Sequence, residues 1–414
     1  MPTLSDIRAA RERIRDGIVL TPVVPSLALR NRLPCDAWLK LENTQRTGSF
    51  KDRGALNRLL DLSPEERTRG VVTASAGNHA QAVAYHGARL GVPVEVVMPM
   101  ETPLIKVANT RRFGAAVTFH GATLSESMDE ARRIELERGM TLVHAFDDER
   151  VIAGQGTIGL ELLEQLPSLT ALIVPIGGGG LISGIALAVR EQRPDVRVFG
   201  VEAAAAPSAL ASRRAGHVVK IESTDTIADG IAVKRVGDRT FPLIERYVDD
   251  IVSVDEVQIA SAVHLLLEHQ KVLAEGAGAT SLAAMLSGQL PLRADDVAVM
   301  ILSGGNIDVN LVERIVDRGL VADGRLARLA VTVRDRPGHL ARLTAIVAEE
   351  GANVLDVAHS RAFADISVRD VRIQMTLETR GQEHMDAVVA RLEREGFVVR
   401  EEGRSREPDD RMTG

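Results

Sequence analysis

Residues 171–184 have the sequence Ala-Leu-Ile-Val-Pro-Ile-Gly-Gly-Gly-Gly-Leu-Ile-Ser-Gly, and this stretch decides the fold. The apolar, β-branched run from Leu172 to Val174 predicts a buried strand, and the glycines at 177–180 predict a tight turn into a helix that begins at Leu181. A strand, a glycine turn and a helix in this order are typical of α/β folds. Glycines also let backbone N–H groups approach a phosphate closely at the start of a helix.

Two other interpretations of this stretch are weaker. Residues 171–189 carry no charge and are nearly long enough to span a membrane, but Pro175 and the glycines would leave backbone groups unpaired in lipid. Glu202 lies where a dinucleotide-binding fold has a ribose-binding acid. However, residues 182 and 183 are Ile and Ser, so the spacing Gly-x-Gly-x-x-Gly is not met. A phosphate-binding turn is the stronger interpretation.

Short apolar strands alternate with helical segments from about residue 71 to residue 318. The predicted strands include 93–98, 115–119, 196–201 and 297–302, and the predicted helices include 104–113 and 125–138. Continuous apolar strands separated by helices indicate parallel sheets that are covered on both faces. Because the strands fall into two blocks, about 70–145 and 170–320, we predict an α/β fold with two lobes.

The sequence changes character near residues 321–325, and a smaller domain follows at 326–402. A strand at 327–333, the turn Asp335–Gly338, a helix, two strands, a helix and a last strand give the order βαββαβ. This order is typical of a small ferredoxin-like domain. The tail, 403–414, has a single apolar residue and is predicted to be disordered.

Composition excludes several classes of protein. The 414 residues are 45% apolar and 26% charged, with a net charge of −7, which is typical of a globular protein and argues against a nucleic-acid partner. Eight Phe, two Tyr and one Trp offer few surfaces on which bases stack. The single Cys35 allows neither an internal disulfide nor a cysteine metal site. The first fifteen residues contain no apolar core of a signal peptide, so we expect a cytoplasmic protein without membrane contact.

Two polar segments that precede helical patterns carry candidate chemistry. Ser49 is placed to cap a helix with Lys51 in its first turn, where the helix dipole lowers the pKa of an amine. Such an amine suits a nucleophilic or Schiff-base lysine, although a solvated surface lysine is the simpler interpretation of this segment alone. Residues 75–81 follow a strand at 71–73, and their N–H groups predict an anion site beside the neutral donor Asn78. An Asn–His pair that only caps the helix is the alternative.

These segments, together with Ser303-Gly304-Gly305-Asn306 after a strand, resemble the fold-type II pyridoxal-phosphate enzymes and, within them, the threonine/serine dehydratases. The stretches that strengthen the resemblance are Lys40–Asn43, Thr226–Lys234 and Ala274–Ala279. The resemblance covers about residues 15–320, and the C-terminal βαββαβ unit resembles an ACT domain, a regulatory module that binds amino acids. It implies a catalytic domain at 1–322, with a small lobe of about 50–145 inserted in the large lobe, in a homodimer or homotetramer.

The resemblance also implies a role for each matching residue. Lys51 would form the Schiff base with pyridoxal phosphate and act as general base, Asn78 would donate to the 3′ oxygen, and Ser303 would meet the pyridine nitrogen as a hydroxyl. The other implied cofactor contacts are Phe50, Gly177, Gly178, Gly179, Gly180, Leu181 and Glu275. The implied contacts of the substrate carboxylate are the N–H groups of the turn Ser75, Ala76, Gly77, Asn78 and His79.

The implied reaction is β-elimination of water from L-threonine, and from L-serine, which gives 2-oxobutanoate or pyruvate and ammonia. It belongs to isoleucine biosynthesis or to threonine catabolism. In the ACT-like unit, Asp335, Gly338 and Asn353 are expected to line a site between paired domains that binds an allosteric effector, isoleucine or valine. Gly338 would let backbone N–H groups reach its carboxylate, and the other two would take its amine.

Two departures from the family pattern bear on function. Related racemases have a serine at the position of Ala76, and we expect little racemisation because alanine has no proton to give. Some relatives bind a divalent cation through a Glu, a carbonyl group and an Asp. Here the three positions are Glu202, Ala206 and Ser208, so one charged ligand is missing and no metal is expected.

Other assignments remain open on the sequence alone. Another enzyme of the same fold, such as a β-replacement synthase or a serine racemase-like protein, is one alternative, and the appended regulatory unit argues against a synthase. A non-catalytic amino-acid sensor is another, and the intact set Lys51, Asn78 and Ser303 argues against it.

Overall fold

The protein divides into two compact units, Met1–Asp308 and the part that follows from Val309. The structure is a computed structural model and describes residues 1–360, 367 and 369–402. The predicted disordered tail, 403–414, lies outside the described residues. No helix in the described part of the chain is long and apolar enough to cross a membrane.

The strands in chain order are β1 Val23–Pro25, β2 Asp36–Leu41, β3 Val71–Ala74, β4 Val94–Met98, β5 Ala116–Phe119, β6 Thr141–Leu142, β7 Ala171–Pro175, β8 Arg197–Ala203, β9 Asp250–Val254, β10 Val297–Leu302, β11 Leu326–Arg334, β12 Asn353–Ser360, β13 Asp370–Glu378 and β14 Val398–Glu402. The α-helices are α1 Leu4–Ile14, α2 Lys51–Leu60, α3 Pro64–Arg69, α4 Asn78–Leu90, α5 Leu104–Arg111, α6 Leu124–Arg138, α7 Glu149–Gln165, α8 Gly180–Arg190, α9 Ser208–Ala215, α10 Thr240–Tyr247, α11 Glu256–Leu265, α12 Gly276–Leu286, α13 Val309–Ala322, α14 His339–Glu349 and α15 Gln382–Arg394.

The larger lobe of the first unit is built on a six-stranded sheet in the order β1-β2-β10-β7-β8-β9. Its strands run parallel except for the antiparallel pair β1 and β2. All five residues of β7 are buried, as expected of a central strand with helices on both faces. The predicted strand, glycine turn and helix at 171–184 are confirmed as β7, the turn and α8.

The smaller lobe has a four-stranded, entirely parallel sheet in the order β5-β4-β3-β6. Its core is formed by apolar residues of β3, β4 and α4, such as Val71, Val83 and Val96. This sheet lies between β2 and β7 in the chain, so the smaller lobe interrupts the sequence of the larger one. The prediction of parallel α/β lobes is confirmed.

The second unit has an antiparallel sheet in the order β12-β13-β11-β14. One face of the sheet packs on α14 and α15 around Leu329, Val347, Met375 and Leu392. The predicted βαββαβ order is confirmed, with observed ends within about two residues of the expected ones. Helix α13 belongs to this second compact unit, which therefore begins before residue 326.

Candidate active site

The predicted site residues lie at the carboxyl ends of three strands and at the start of α2. The turn 75–79 follows β3, the glycine turn follows β7, and Ser303 follows β10. Ligands of open α/β sheets bind at these ends, because the strands there open into loops and helix N-termini. Direct contacts join the ends: Phe50 N donates to Ser303 O at 3.0 Å, and Glu275 N donates to Gly304 O at 3.0 Å.

Lys51 is the first residue of α2 and is half-buried. Its Nζ donates to Ala145 O at 2.9 Å and lies 5.0 Å from the ring centroid of Phe50. Burial lowers the pKa of the Lys51 amine to about 8, although the nearby carboxyl group of Glu275 acts in the opposite direction. The amine is therefore neutral in about a tenth of molecules at pH 7, a far larger share than for a lysine of ordinary pKa.

The expected cap by Ser49 is wrong. Phe50 is the N-cap residue of α2, and it makes no side-chain capping bond. Ser49 Oγ is buried and has no hydrogen-bond partner among the described residues. The backbone of Ser49 forms an isolated antiparallel β-bridge with Gly304.

Asn78 and Glu275 meet although 197 residues separate them in the sequence. Asn78 Nδ2 donates to Glu275 Oε1 at 2.7 Å, and Asn306 Nδ2 donates to Asn78 Oδ1 at 2.8 Å. Burial raises the pKa of Glu275 to about 8, and the negative charge of Asp229 acts in the same direction. Glu275 is therefore mostly a neutral acid near neutral pH, because the hydration that a carboxylate would lose there outweighs the attraction of the Lys106 and Lys51 amines.

The glycine turn has no room for side chains. An ideal Cβ on Gly178 would lie 2.2 Å from Phe146 Cγ, and one on Gly180 would lie 3.0 Å from Phe146 Cα. Gly179 has a φ of +93° and precedes α8, which begins at Gly180. The result is a bare backbone turn at a helix N-terminus, where N–H groups favour an anion.

Some backbone N–H groups of the turn 75–79 already donate hydrogen bonds, and others donate none within the described residues. Ser75 N donates to Val97 O, and Gly77 N donates to Ser75 Oγ, so these two amides are already bonded. The N–H groups of Ala76, Asn78 and His79 donate to no backbone acceptor outside the helix in the described part of the chain. Because a Cβ on Gly77 would meet nothing within 4 Å, the turn borders open space.

The side chain of His79 points into the smaller lobe and not toward this space. It is 2% exposed, and its Nε2 lies 3.0 Å from Val143 O, which fixes the proton on Nε2. Burial, and then the nearby amine of Lys51, lower the pKa of His79 to about 3. The imidazole is therefore neutral, and of His79 the backbone N–H alone borders the candidate site.

A buried group of charged side chains supports α2, and the sequence reasoning missed it. Arg53 Nη2 donates to Glu42 Oε1 at 2.8 Å, and Arg53 Nη1 donates to Glu161 Oε1 at 2.5 Å. Lys40 Nζ donates to Glu161 Oε2 at 2.6 Å. All four side chains are at most 5% exposed. The signal in the sequence was the pair of charges, Lys40 and Glu42, at the end of an apolar strand.

Of the weak metal candidates, Glu202 and the backbone of Ala206 are hydrogen-bonded within the protein. The carboxylate of Glu202 accepts the N–H groups of Ala209 and Leu210 at 2.7 and 2.8 Å, and so caps α9. Burial raises the pKa of Glu202 to about 7. Ser208 Oγ is buried without a partner among the described residues, and the chain near Ala206 is held by Ala206 N donating to Ala203 O.

The predicted effector residues lie at opposite ends of the second unit's sheet, because β11 ends beside the start of β13, whereas Asn353 begins β12 beside the end of β13. Gly338 has a φ of +92°, precedes α14 and faces open space. Asn353 begins β12, and its Nδ2 donates to Glu378 Oε2 at 3.2 Å. Asp335 follows β11, and its N–H donates to Arg369 O. The Asn353 side chain is therefore already bonded to the Glu378 carboxylate. An effector amine would have to share the Asn353 side chain with that carboxylate.

A comparison with protein families identifies both units. Residues 14–304 match the family of pyridoxal-phosphate dependent enzymes, and residues 323–400 match the ACT domain. The chain therefore belongs to the pyridoxal-phosphate dependent enzymes, with the two-lobed fold-type II architecture and a C-terminal ACT domain.

Similar individual proteins include a threonine ammonia-lyase, a threonine deaminase and a serine racemase. The L-threonine ammonia-lyase of Thermotoga maritima is 46% identical over 400 residues, which are 97% of this chain and 99% of the relative. Among solved structures, threonine deaminase isoform 2 of Solanum lycopersicum is 36% identical with a TM-score of 0.72, over 76% of this chain and 89% of that one. Maize serine racemase is 36% identical with a TM-score of 0.73, over 78% of this chain and 98% of that one.

The residues present fit pyridoxal phosphate. The turn at 177–180 is bare backbone at the N-terminus of α8, and side chains at Gly178 and Gly180 would crowd Phe146, so the turn suits the close approach of a phosphate group. The amine of Lys51 has a lowered pKa, which suits bonding to a carbonyl carbon. Asn78 offers a neutral donor group between Glu275 and Asn306, and Ser303 ends the central strand β10 nearby.

Proposed function

We propose that this protein eliminates water from L-threonine, and from L-serine, and releases 2-oxobutanoate or pyruvate and ammonia. The observation that carries the proposal is Lys51, an amine with a pKa of about 8 at the start of α2 in a site that fits pyridoxal phosphate. The similarity to the ammonia-lyase of Thermotoga maritima over nearly the whole chain supports threonine as the substrate.

Lys51 would take the proton from Cα of the substrate. A general base works best when its pKa is near the working pH, and burial brings the Lys51 amine into that range. The carbonyl group of Ala145 holds Nζ at 2.9 Å and so limits the directions in which the amine can point. Bound pyridoxal phosphate supplies the electron sink for the electron pair that the proton leaves behind.

The turn after β3 would bind the substrate carboxylate. The N–H groups of Ala76, Asn78 and His79 are the ones without other backbone acceptors, and two of them open α4, where the helix dipole favours an anion. A carboxylate bound there would keep Cα at a fixed distance from the start of α2. The neutral imidazole of His79 adds no competing charge.

Two residues favour elimination over other reactions of this fold. Ala76, at the position where the related racemases have a serine, has no proton to give to Cα. Ser303 would face the pyridine nitrogen with a hydroxyl group, which would leave the nitrogen uncharged. An uncharged ring is a weaker electron sink, and this is sufficient for elimination, which needs electron withdrawal only briefly. The β-hydroxyl then leaves as water, and the enamine product hydrolyses to the 2-oxo acid and ammonia.

The ACT domain supports control by an amino acid. We infer that isoleucine or valine binds between two paired ACT domains, beside Asp335 and Gly338 of one copy and Asn353 of the partner subunit, where a positive-φ glycine precedes α14 and borders open space. Binding there would shift an equilibrium between active and inactive forms.

The experiment that tests the proposed activity replaces the lysine. In purified holoprotein, Lys51→Ala should abolish formation of 2-oxobutanoate from L-threonine, because the base and the attachment of the cofactor are lost together. It should also remove the visible absorbance that borohydride traps on the chain. The exposed Lys220→Ala is the matched control and should retain both signals. A Lys51→Ala protein that retains about a tenth of the turnover would contradict the assignment, since loss of such a base normally lowers the rate about 100-fold or more.

A further inference from the structure

A buried aspartate and a buried histidine join α2 to α4 beside Lys51. Asp52, the second residue of α2, is 0% exposed and accepts three hydrogen bonds. Its Oδ2 accepts from Thr47 N at 2.8 Å, and its Oδ1 accepts from Thr47 Oγ1 at 2.9 Å and from His86 Nε2 at 3.0 Å. His86 lies in the third turn of α4 and is also 0% exposed.

The hydrogen bonds continue from this pair to the candidate site. Thr47 O accepts from Asn306 Nδ2 at 2.7 Å, and the same Nδ2 donates to Asn78 Oδ1 at 2.8 Å. Asn78 is the first residue of α4, the helix that also carries His86. The network is therefore a closed ring that runs from α2 through the preceding loop to Asn78 and returns along α4.

The loop before Lys51 is held from two sides. Toward β10, Phe50 N donates to Ser303 O and Gly305 N donates to Gly48 O. Toward α4, the Asp52 carboxylate is the group that links Thr47 to His86. Without the histidine, a fully buried carboxylate would lose one of its three donors, and the first turn of α2 would lose its side-chain bond to α4.

We propose that the Asp52–His86 pair is a positioning device that fixes the Lys51 amine relative to Asn78. Neither residue of the pair is expected to touch substrate or cofactor. The proposal rests on the assignment of Lys51 as base and cofactor attachment point. Displacement of a reacting group by about 1 Å can lower a rate about 100-fold, so a link that holds the start of α2 affects turnover more than binding.

The structure suggests variants that separate positioning from packing. The His86 ring packs edge-to-face on Tyr85 with centroids 5.0 Å apart, and His86 Nδ1 has no partner among the described residues. His86→Phe keeps the ring and removes the donor, whereas His86→Gln retains an N–H that can reach Asp52. Asp52→Asn retains the shape and removes the charge. Ser127→Ala is the matched control, because it deletes a buried hydrogen bond to His120 O in the same lobe.

The test measures kinetics and backbone protection in the full-length protein. In the holoenzyme, His86→Phe should lower kcat for L-threonine about 10-fold or more while KM changes less than about 3-fold, and His86→Gln should recover most of the loss. In both cofactor-free and cofactor-loaded protein, hydrogen exchange of the peptide around residues 47–53 should be about 10-fold faster in His86→Phe and unchanged in Ser127→Ala.

The outcomes distinguish a positioning role of the Asp52–His86 pair from a purely structural one. If His86→Phe exchanges and turns over like wild type, or if Ser127→Ala loses as much kcat, the pair has only a structural role and the proposal is wrong. If His86→Phe does not fold, the same readouts on Asp52→Asn and His86→Gln decide, and wild-type values in both would overturn it. Should the wild-type protein not act on threonine, the exchange measurement still tests the pair independently of the proposed function.

Discussion

At the scale of single residues, the site contains two ionisable groups whose pKa values burial brings close to neutral pH. The pKa of the Lys51 amine is lowered to about 8, and the pKa of the Glu275 carboxyl group is raised to about 8. Both shifts have desolvation as their largest cause, because a charge in this region gives up hydration. An amine and a carboxylic acid that both titrate near pH 8 are suited to receive and to donate a proton near neutral pH.

The raised pKa of Glu275 predicts a specific dependence of stability on pH. The folded protein holds the Glu275 proton up to about pH 8, whereas the unfolded chain releases it near its ordinary pKa of 4.5. The stabilisation is therefore complete below about pH 4.5 and declines as pH rises toward 8, by at most about 1.4 kcal/mol per unit of pKa difference. Glu275→Gln cannot lose a proton and should escape this decline.

The measurement is thermal unfolding of cofactor-free protein at about pH 5 and about pH 8.5. Wild type and Glu275→Gln should have similar Tm values at the lower pH, and the variant should be several degrees more stable at the higher pH. The exposed Glu222→Gln should follow wild type at both. Parallel pH profiles for wild type and Glu275→Gln would show that Glu275 is ionised in the folded protein.

At the scale of elements, α2 carries both the chemistry and its support. Its first residue is Lys51, its second is joined to α4 through His86, and Arg53 binds carboxylates from the end of β2 and from α7. Arg53, Lys40, Glu42 and Glu161 carry two positive and two negative charges, so the buried group is balanced. Balance matters because a single unpaired charge in such a place is strongly destabilising.

Removal of one charged side chain from this group should leave an unpaired buried charge and destabilise the protein. Arg53→Ala leaves two buried carboxylates against one ammonium group, and we expect it to lower the free energy of unfolding by about 3–5 kcal/mol. Urea unfolding of wild type and variant measures the difference. Arg133→Ala is the control, because Arg133 also pairs with two carboxylates but is half exposed, and exposed pairs contribute about 1 kcal/mol or less. Equal losses in the two variants would contradict the prediction.

At the scale of the whole molecule, two units with separate cores combine the fold of a pyridoxal-phosphate dependent enzyme with an ACT domain. The first unit buries its apolar residues against two parallel sheets, and the second buries its own against an antiparallel sheet.

The regulatory proposal predicts a shift in apparent substrate affinity. In full-length holoprotein, isoleucine or valine should change the L-threonine concentration at half-maximal rate by about 5- to 150-fold, which corresponds to a coupling of about 1–3 kcal/mol. Asn353→Ala should abolish the shift, and the exposed Asn31→Ala should retain it. Calorimetry with each amino acid reports binding directly. An enzyme that ignores both amino acids and releases no heat on mixing would have an ACT domain without this regulatory role.

Much of this protein follows from local sequence. The strand, turn and helix at 171–184, the parallel lobes, the βαββαβ unit and the place of Lys51 in the first turn of a helix all depend on periodicity, glycines and neighbours close in the chain. Ser49 shows the limit of such reasoning, because its backbone pairs with Gly304 and its side chain does not cap α2.

The tertiary structure decided what depends on distant residues and on burial. The contact of Asn78 with Glu275, the charged group around Arg53 and the Asp52–His86 pair join segments that the chain separates by up to 197 residues. The lowered pKa of Lys51 was expected from the helix dipole, but its main cause is burial, which only the packed lobes create. Hydrophobic periodicity is a property of neighbours in the sequence, whereas desolvation and long-range hydrogen bonds arise only when the chain has folded.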